Sequence, residues 1–303
     1  MGRRRNSGRS VNGILLLDKP IGITSNRALQ IVKRLYGAKK AGHTGSLDPA
    51  ATGVLPICFG EATKVSSYLL SDDKEYQFVA KLGEATDTGD SDGVVVNRIV
   101  TQRLGEDDIA RAVAEFLGES EQIPPMYSAL KHNGKRLHQL ARQGVEVERA
   151  SRCITIFELS VVEYDHPYLT MNVVCSKGTY VRTLAEDIAK FLGSCAHLTS
   201  LRRTQVSALN CEQLVTMGEV EQCSSQRDLD QLLLPMDQPL SDWSHMSLTE
   251  REANAFVHGN RVTPPQDYGD GCLVRIYDLN GQFLGIAESN AGELQPKRVI
   301  NYE

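Results

Sequence analysis

A chain of 303 residues that is 41% hydrophobic and 23% charged has ample material for a buried core, and its composition excludes wholesale disorder, collagen and coiled coil. Length favours two domains over one. The formal net charge of −5 gives no overall cationic surface, so a nucleic-acid partner would have to be held by local clusters of lysine and arginine.

The opening MGRRRNSGRS carries Arg3, Arg4, Arg5 and Arg9 and predicts a disordered basic arm over residues 1–10. No apolar stretch follows that would make it a secretory signal, and Asn6 breaks the Gly2 myristoylation pattern. GILLLDKP is stopped by Asp18, far short of a bilayer span, so no membrane partner is expected. Thr24 or Ser25 can cap a helix whose apolar positions Leu29, Ile31, Val32 and Leu35 recur at helical spacing until Gly37 ends it. Seven scattered cysteines with no CxxC pair suit a reducing cytoplasm, and no HExxH or similar spacing links the seven histidines, so no metal is expected.

The densest unusual segment is HTGSLDPAATGVLPICFGEATK, residues 43–64, in which Gly45 and Gly53 bracket Asp48-Pro49. Glycine and proline predict a tight loop that presents the Asp48 carboxylate to a cleft, although a lone Asp-Pro also serves as an Asx turn or a helix cap. Next comes KEYQFVAKLGEATDTGDSDG, where Tyr76 opens a strand over residues 75–83 and an acidic loop follows. That loop imitates a calcium site at Asp90, Asp92 and Gly93. Thr88 in the first ligand position and Ile99 where a glutamate is required exclude calcium.

Further strands are expected at 94–100, 153–163 and 168–175, and helices at 106–117 and 179–192. Residues 119–152 between them read as an insertion with its own short basic helix, and Lys131, His132, Lys135, Arg136, His138 and Arg142 within it form a basic patch. CSKGTYVRTLAEDIA, residues 175–189, predicts a strand, a turn at Gly178 and a helix whose first turns hold Tyr180 and Arg182. An arginine there can pair with a carboxylate on a facing loop and favour its ionised form. Arg202 and Arg203 form another cationic pair, and after the break at MDQPLSDWSHMS a small, mostly β domain is expected over residues 248–303, with Asn280-Gly281 as a hairpin turn. The class is α+β.

These segments, with GILLLDKPIGITS, PPMYSALKHNGK and LRRTQV, occur in the order of the TruB pseudouridine synthases, and the resemblance spans most of the chain. It implies a pseudouridine synthase fold over residues 11–247, a mixed and largely antiparallel sheet with flanking helices, followed by a PUA-like RNA-binding domain. It implies a tRNA partner gripped at the T stem-loop, isomerisation of uridine-55 there, no cofactor, and by default a monomer. It maps the catalytic aspartate onto Asp48, the tyrosine that stacks on the flipped base onto Tyr76, and the arginine beside the carboxylate onto Arg182. Tyr180 and Leu201 would line the same pocket and His43 would help hold the T loop open. Lys19 and Pro20 match a structural motif, and Asp90 would join the Arg182 network.

The chemistry asks for the same set. Turning uridine into pseudouridine breaks the N1–C1′ bond, rotates the retained base and rejoins it through C5, with no net redox change. That requires an ionised carboxylate and a pocket that keeps the detached base from water. Attack at C1′, addition at C6 and formation of a glycal all use such a carboxylate and remain open. A non-catalytic tRNA-binding chaperone would not need Asp48 and Arg182, and a nucleosidase would need a second acid beside the first.

Overall fold

The computed structural model describes residues 8–206, 209 and 213–302. Arg3, Arg4 and Arg5 of the expected arm, and Cys211, lie outside them. Where the arm overlaps the described chain it is not loose. Arg9 donates two hydrogen bonds to the Asp230 carboxylate at 2.6 and 2.7 Å and a third to the Tyr36 carbonyl.

In chain order the elements begin with β1 (Gly13–Lys19), α1 (Ser25–Leu35), β2 (Ala41–His43), β3 (Ala51–Phe59), α2 (Ser66–Ser71) and β4 (Lys74–Leu82). There follow β5 (Glu84–Thr86), β6 (Val95–Arg98), α3 (Glu106–Phe116), β7 (Gly118–Gln122), β8 (Lys131–His132), β9 (Lys135–Arg136) and α4 (Leu137–Ala141). Next are β10 (Arg152–Asp165), β11 (Tyr168–Cys175), α5 (Val181–Phe191), β12 (Ala196–Val206), β13 (Val215–Thr216), α6 (Met217–Gln222) and α7 (Gln226–Gln231). The chain closes with β14 (His245–Leu248), α8 (Glu250–Val257), β15 (Leu273–Asp278), β16 (Phe283–Asn290) and β17 (Glu293–Val299).

A nine-stranded sheet runs β13-β1-β3-β12-β4-β11-β10-β7, with β2 also on β3. Its pairings are antiparallel except β1 with β13 and β3 with β12. The expected largely antiparallel mixed sheet is therefore present. The solid apolar run in β1 has a simple cause, burial of both faces. Ile14 and Leu16 enter one core with Val54 and Cys58, while Leu15 and Leu17 enter another with Ala28, Leu29 and Val32 of α1. At the other half of the sheet the strands alternate. Leu169, Met171, Val173 and Cys175 of β11 face a core roofed by Ile109 and Ala112 of α3 and by Leu184 and Ile188 of α5.

Three expectations change in detail. Residues 119–122 and Arg152 do not belong to the insertion but to the sheet, where β7 forms the edge and Gln122 stands opposite Arg152 on β10. Inside the insertion the expected short helix is present as α4, which carries His138, but Lys131, His132, Lys135 and Arg136 sit ahead of it on the β8–β9 hairpin. Its turn is Asn133-Gly134, both at positive φ (48° and 81°), the conformation that favours these two residues in tight hairpins. Finally, the C-terminal sheet starts at β14, ahead of residue 248, because His245–Leu248 pairs in parallel with β15. That sheet also shares a core with the larger one, through Phe283, Ile286 and Ile300 packed with Ile14, Leu16 and Leu234.

Candidate active site

Asp48 lies on the loop between β2 and β3, where the parallel neighbour β12 brings Leu201 opposite Ala51. Gly45 (φ 73°) and Gly53 (φ 100°) supply the turns. At Gly53 only a hydrogen fits, since a Cβ would stand 2.1 Å from the Arg203 carbonyl oxygen. Asp48, Ala50, Ala51, Asp90, Ser91, Arg182 and the β12 residues from Leu198 to Leu201 line a narrow cleft that is open on one side.

Arg182, 4% exposed, holds this site together. Its Nε lies 3.0 Å from Asp48 Oδ2. Nη1 donates to the Thr88 carbonyl at 2.5 Å and Nη2 to the Tyr127 carbonyl at 2.7 Å. The guanidinium thus gives the carboxylate one nitrogen and spends the others on the acidic turn and on the root of the insertion. Asp90 Oδ2 stands 3.7 Å from Nη1. Its other oxygen accepts from Thr88 Oγ1 at 2.6 Å and from the Asp92 N–H at 3.1 Å. The calcium-like loop is in fact a turn that sets a carboxylate against Arg182.

The Asp48 side chain is 40% exposed at its tip yet walled in by protein. Desolvation in the cleft pushes its carboxyl above the ordinary value of 3.8, opposed by Arg182 and Lys19 and reinforced by Asp90 and Asp92. One turn beyond Arg182, burial beside Asp187 raises the Glu186 carboxyl to about 7.

Of the residues singled out from sequence, Asp48, Arg182 and Leu201 line the cleft. Tyr76 sits beside it on β4, opposite Arg203, packed with Leu201 against the same core. Burial raises its phenol, while Arg203, which donates to it, opposes the shift. Tyr180 is the N-cap of α5 and not part of its first turn. The buried amide of Gln122 grips its main chain on both sides, accepting from the Tyr180 N–H at 2.8 Å and donating to the Tyr180 carbonyl at 3.1 Å. The Arg152 guanidinium lies 5.2 Å over the Tyr180 ring, a cation–π contact. His43 ends β2 outside the cleft lining. Its Nδ1 is buried without a hydrogen-bond partner among the described residues, and desolvation and Arg203 lower its pKa.

Sequence reasoning missed the partners of several supports. Arg203 is no surface cation: it is 1% exposed, with Nε on the Val54 carbonyl and Nη2 on the Gly45 carbonyl. Arg202 makes a two-point contact with Asp18 at 2.8 and 3.0 Å. Lys19, fully buried, donates to the carbonyls of Pro20 and Ile23 at 2.8 Å each, and burial lowers its pKa to about 8. Ser25 Oγ contacts both main-chain groups of Leu47, next to Asp48. An unbroken K-P-x-G-x-T-S string was the available signal for the last two, but it says nothing about which partner each finds.

Comparison with known proteins gives the family. Residues 33–181 match the model "TruB family pseudouridylate synthase (N terminal domain)". Residues 182–241 match "tRNA pseudouridylate synthase B C-terminal domain", and residues 245–300 match "Pseudouridine synthase II TruB, C-terminal". The chain is 48% identical to tRNA pseudouridine synthase B of Actinobacillus pleuropneumoniae, over 99% of this chain and 100% of that one. It is 49% identical to the same enzyme of Pseudomonas putida strain F1, over 97% of each. Among solved structures, a Cbf5-Nop10-Gar1 complex matches with a TM-score of 0.73 and 25% identity, over 95% of this chain and 84% of that one. An H/ACA RNP bound to a substrate RNA containing 2′-deoxyuridine shares the fold at a TM-score of 0.73 and 21% identity, over 99% and 92%. An aspartate presented beside a buried arginine at the edge of β12, on this sheet and over this length, places the chain in the TruB family of tRNA pseudouridine synthases.

Proposed function

We propose that, within the tRNA pseudouridylation its family performs, this chain isomerises the T-loop uridine, uridine-55, of tRNA, with Asp48 as the catalytic carboxylate. The contact between Asp48 and Arg182 carries the reading. A carboxylate whose ionised form is held by a 4%-exposed guanidinium at the floor of an open cleft is suited to attack a sugar or base carbon, or to take a ribose proton. The target base must leave its stack to reach that floor. Aromatic contact returns about 1–3 kcal/mol per base, and this contact is assigned to Tyr76, which packs beside Leu201. Tyr180 and Leu201 complete the apolar wall, and His43 is assigned to the flanking nucleotides.

The T stem-loop is assigned to the exposed β8–β9 hairpin, whose Lys131, His132, Lys135 and Arg136 supply phosphate contacts. The C-terminal sheet, read as PUA-like, takes the far end of the RNA. The enzyme is assigned to the cytoplasm as a monomer; no helix among the described residues is long and apolar enough to cross a membrane.

The test is pseudouridine mapping after incubation with an unmodified tRNA transcript. Modification confined to the T-loop uridine, and lost with Asp48→Asn, supports the assignment. Release of free uracil, tight binding without product, or modification elsewhere overturns it.

A further inference from the structure

We infer that Ser25 is a positioning residue for the reaction: its hydroxyl fixes the backbone beside Asp48 and thereby aims the carboxylate. The inference rests on the reading of Asp48 as the catalytic group. Leu47, Asp48 and Pro49 belong to no helix or strand, so no ladder of backbone hydrogen bonds holds them. Their main-chain groups are bound by the segment running from Lys19 to Ser25 instead.

Ser25 Oγ accepts from the Leu47 N–H at 2.7 Å and donates to the Leu47 carbonyl at 3.0 Å. On the other side of Asp48, the Pro49 carbonyl accepts from the Gly22 N–H at 2.9 Å and faces Lys19 Nζ at 3.4 Å. Both residues adjoining Asp48 are thus pinned to one segment, and the Asp48 carbonyl itself accepts from the Ala51 N–H at 3.1 Å. The Leu47 carbonyl lies in the same peptide plane as the Asp48 nitrogen, so the Ser25 contact limits rotation at the root of the catalytic side chain.

Ser25 has no other task in view. It is the first residue of α1, but the helix is capped by Thr24, whose hydroxyl accepts from the Arg27 N–H at 3.1 Å. Ser25 is 2% exposed and Leu47 6%, so water does not replace the hydroxyl when it is removed. The buried Leu47 N–H and carbonyl then lose their partners together, and the cheapest escape is for the loop to turn them toward the cleft. Displacement of a reacting group by about 1 Å costs on the order of 100-fold in rate. Ser25, buried behind the loop, works through Leu47.

The experiment compares wild type, Ser25→Ala, Ser25→Cys and Asp48→Asn on one tRNA transcript. The thiol keeps the volume but is a weak donor and acceptor, so it guards against a cavity or folding defect in the alanine variant. Single-turnover rate at saturating enzyme, tRNA affinity, melting temperature and hydrogen exchange of the Leu47 amide are measured. The expected result is a 10- to 100-fold slower single turnover for both Ser25 variants, tRNA affinity within threefold of wild type, and faster exchange at Leu47. Rates within threefold of wild type in both variants overturn the inference, as does a rate loss matched by an equal loss of affinity. Product formation by Asp48→Asn would instead overturn the assignment of Asp48, and the Leu47 exchange rate reads the clamp independently of that result.

Discussion

Replacing Arg182 by lysine keeps the charge and removes the geometry. The guanidinium spreads its nitrogens over the Asp48 carboxylate at 3.0 Å, the Thr88 carbonyl at 2.5 Å and the Tyr127 carbonyl at 2.7 Å. A single ammonium on a shorter head satisfies one of these directions well. If it follows Asp48, two carbonyls around a 4%-exposed side chain lose their donor, at about 1–3 kcal/mol each. The expected loss of about 2–6 kcal/mol is a large part of the 5–15 kcal/mol that holds a typical domain together. If it follows the carbonyls, the carboxylate loses its guide, and a misplacement of about 1 Å lowers the rate on the order of 100-fold. Either way the single-turnover rate falls steeply, and the first route also lowers the denaturant midpoint. The assay is tritium release from C5-labelled uridine in tRNA at saturating enzyme, run beside urea melts of both proteins. A lysine variant within threefold of wild type in rate and with an unchanged midpoint would refute the three-way role given to Arg182.

Other consequences are open to direct test. The folded protein holds the Asp48 proton more tightly than an unfolded chain does, so ionisation of Asp48 lowers stability as pH rises above 3.8, and that deficit is complete above its raised folded pKa. Asp48→Asn is therefore expected to gain melting temperature relative to wild type between pH 4 and pH 7 while making no pseudouridine; a relative fall over that range contradicts the sign. In the wild-type enzyme the acid limb of the single-turnover rate should lie above the ordinary aspartate value, and a limb at or below it contradicts the desolvation argued for Asp48. Alanine at Lys131, Lys135 and Arg136 together should weaken tRNA binding and flatten its salt dependence, by about 0.7–0.9 in log–log slope for each phosphate no longer neutralised. An unchanged slope would mean that the hairpin is only a solvated surface. Ile300→Ala, at a position 3% exposed in the core shared by the two sheets, should cost about 2–5 kcal/mol in a urea melt, where independent domains would show a second, separate transition.

Much of the fold and the site was legible in the sequence, for reasons that differ by region. α1 could be placed from Thr24 to Gly37 because capping and periodicity are local, and both residues do what the pattern requires. The pairing of Asp48 with Arg182 followed from two motifs that resemble a known family. Their separation of more than a hundred residues left the partners of the other two nitrogens invisible. Asn133-Gly134 is the same hairpin signal as Asn280-Gly281, but it joins strands of only two residues each just before the short helix α4, too little alternation for the pair to read as strands. Arg203 looked like half of a surface pair. Alternation along β12 sends Arg202 to Asp18 and Arg203 inward to Val54 and Gly45, and a dipeptide does not reveal that. The C-terminal boundary at 248 followed the helix signal of α8, whereas the preceding four residues are tied to β15 by pairing over a distance.

The insertion leaves the sheet after Gln122 and returns at Arg152, and these two residues face each other across β7 and β10. Cross-strand neighbours in an antiparallel pair are about 4.5–5.5 Å apart, so the whole excursion closes on a gap that any peptide of moderate length can span. Such a layout makes the hairpin of the insertion exchangeable. Beyond the segment around Tyr127 that Arg182 holds, hairpins of other lengths or charge can be grafted between the same two anchors while Gln122 and Arg152 keep their grip on Tyr180. A set of such chimaeras would carry one pocket behind many different hairpins, without redesign of the sheet that holds it.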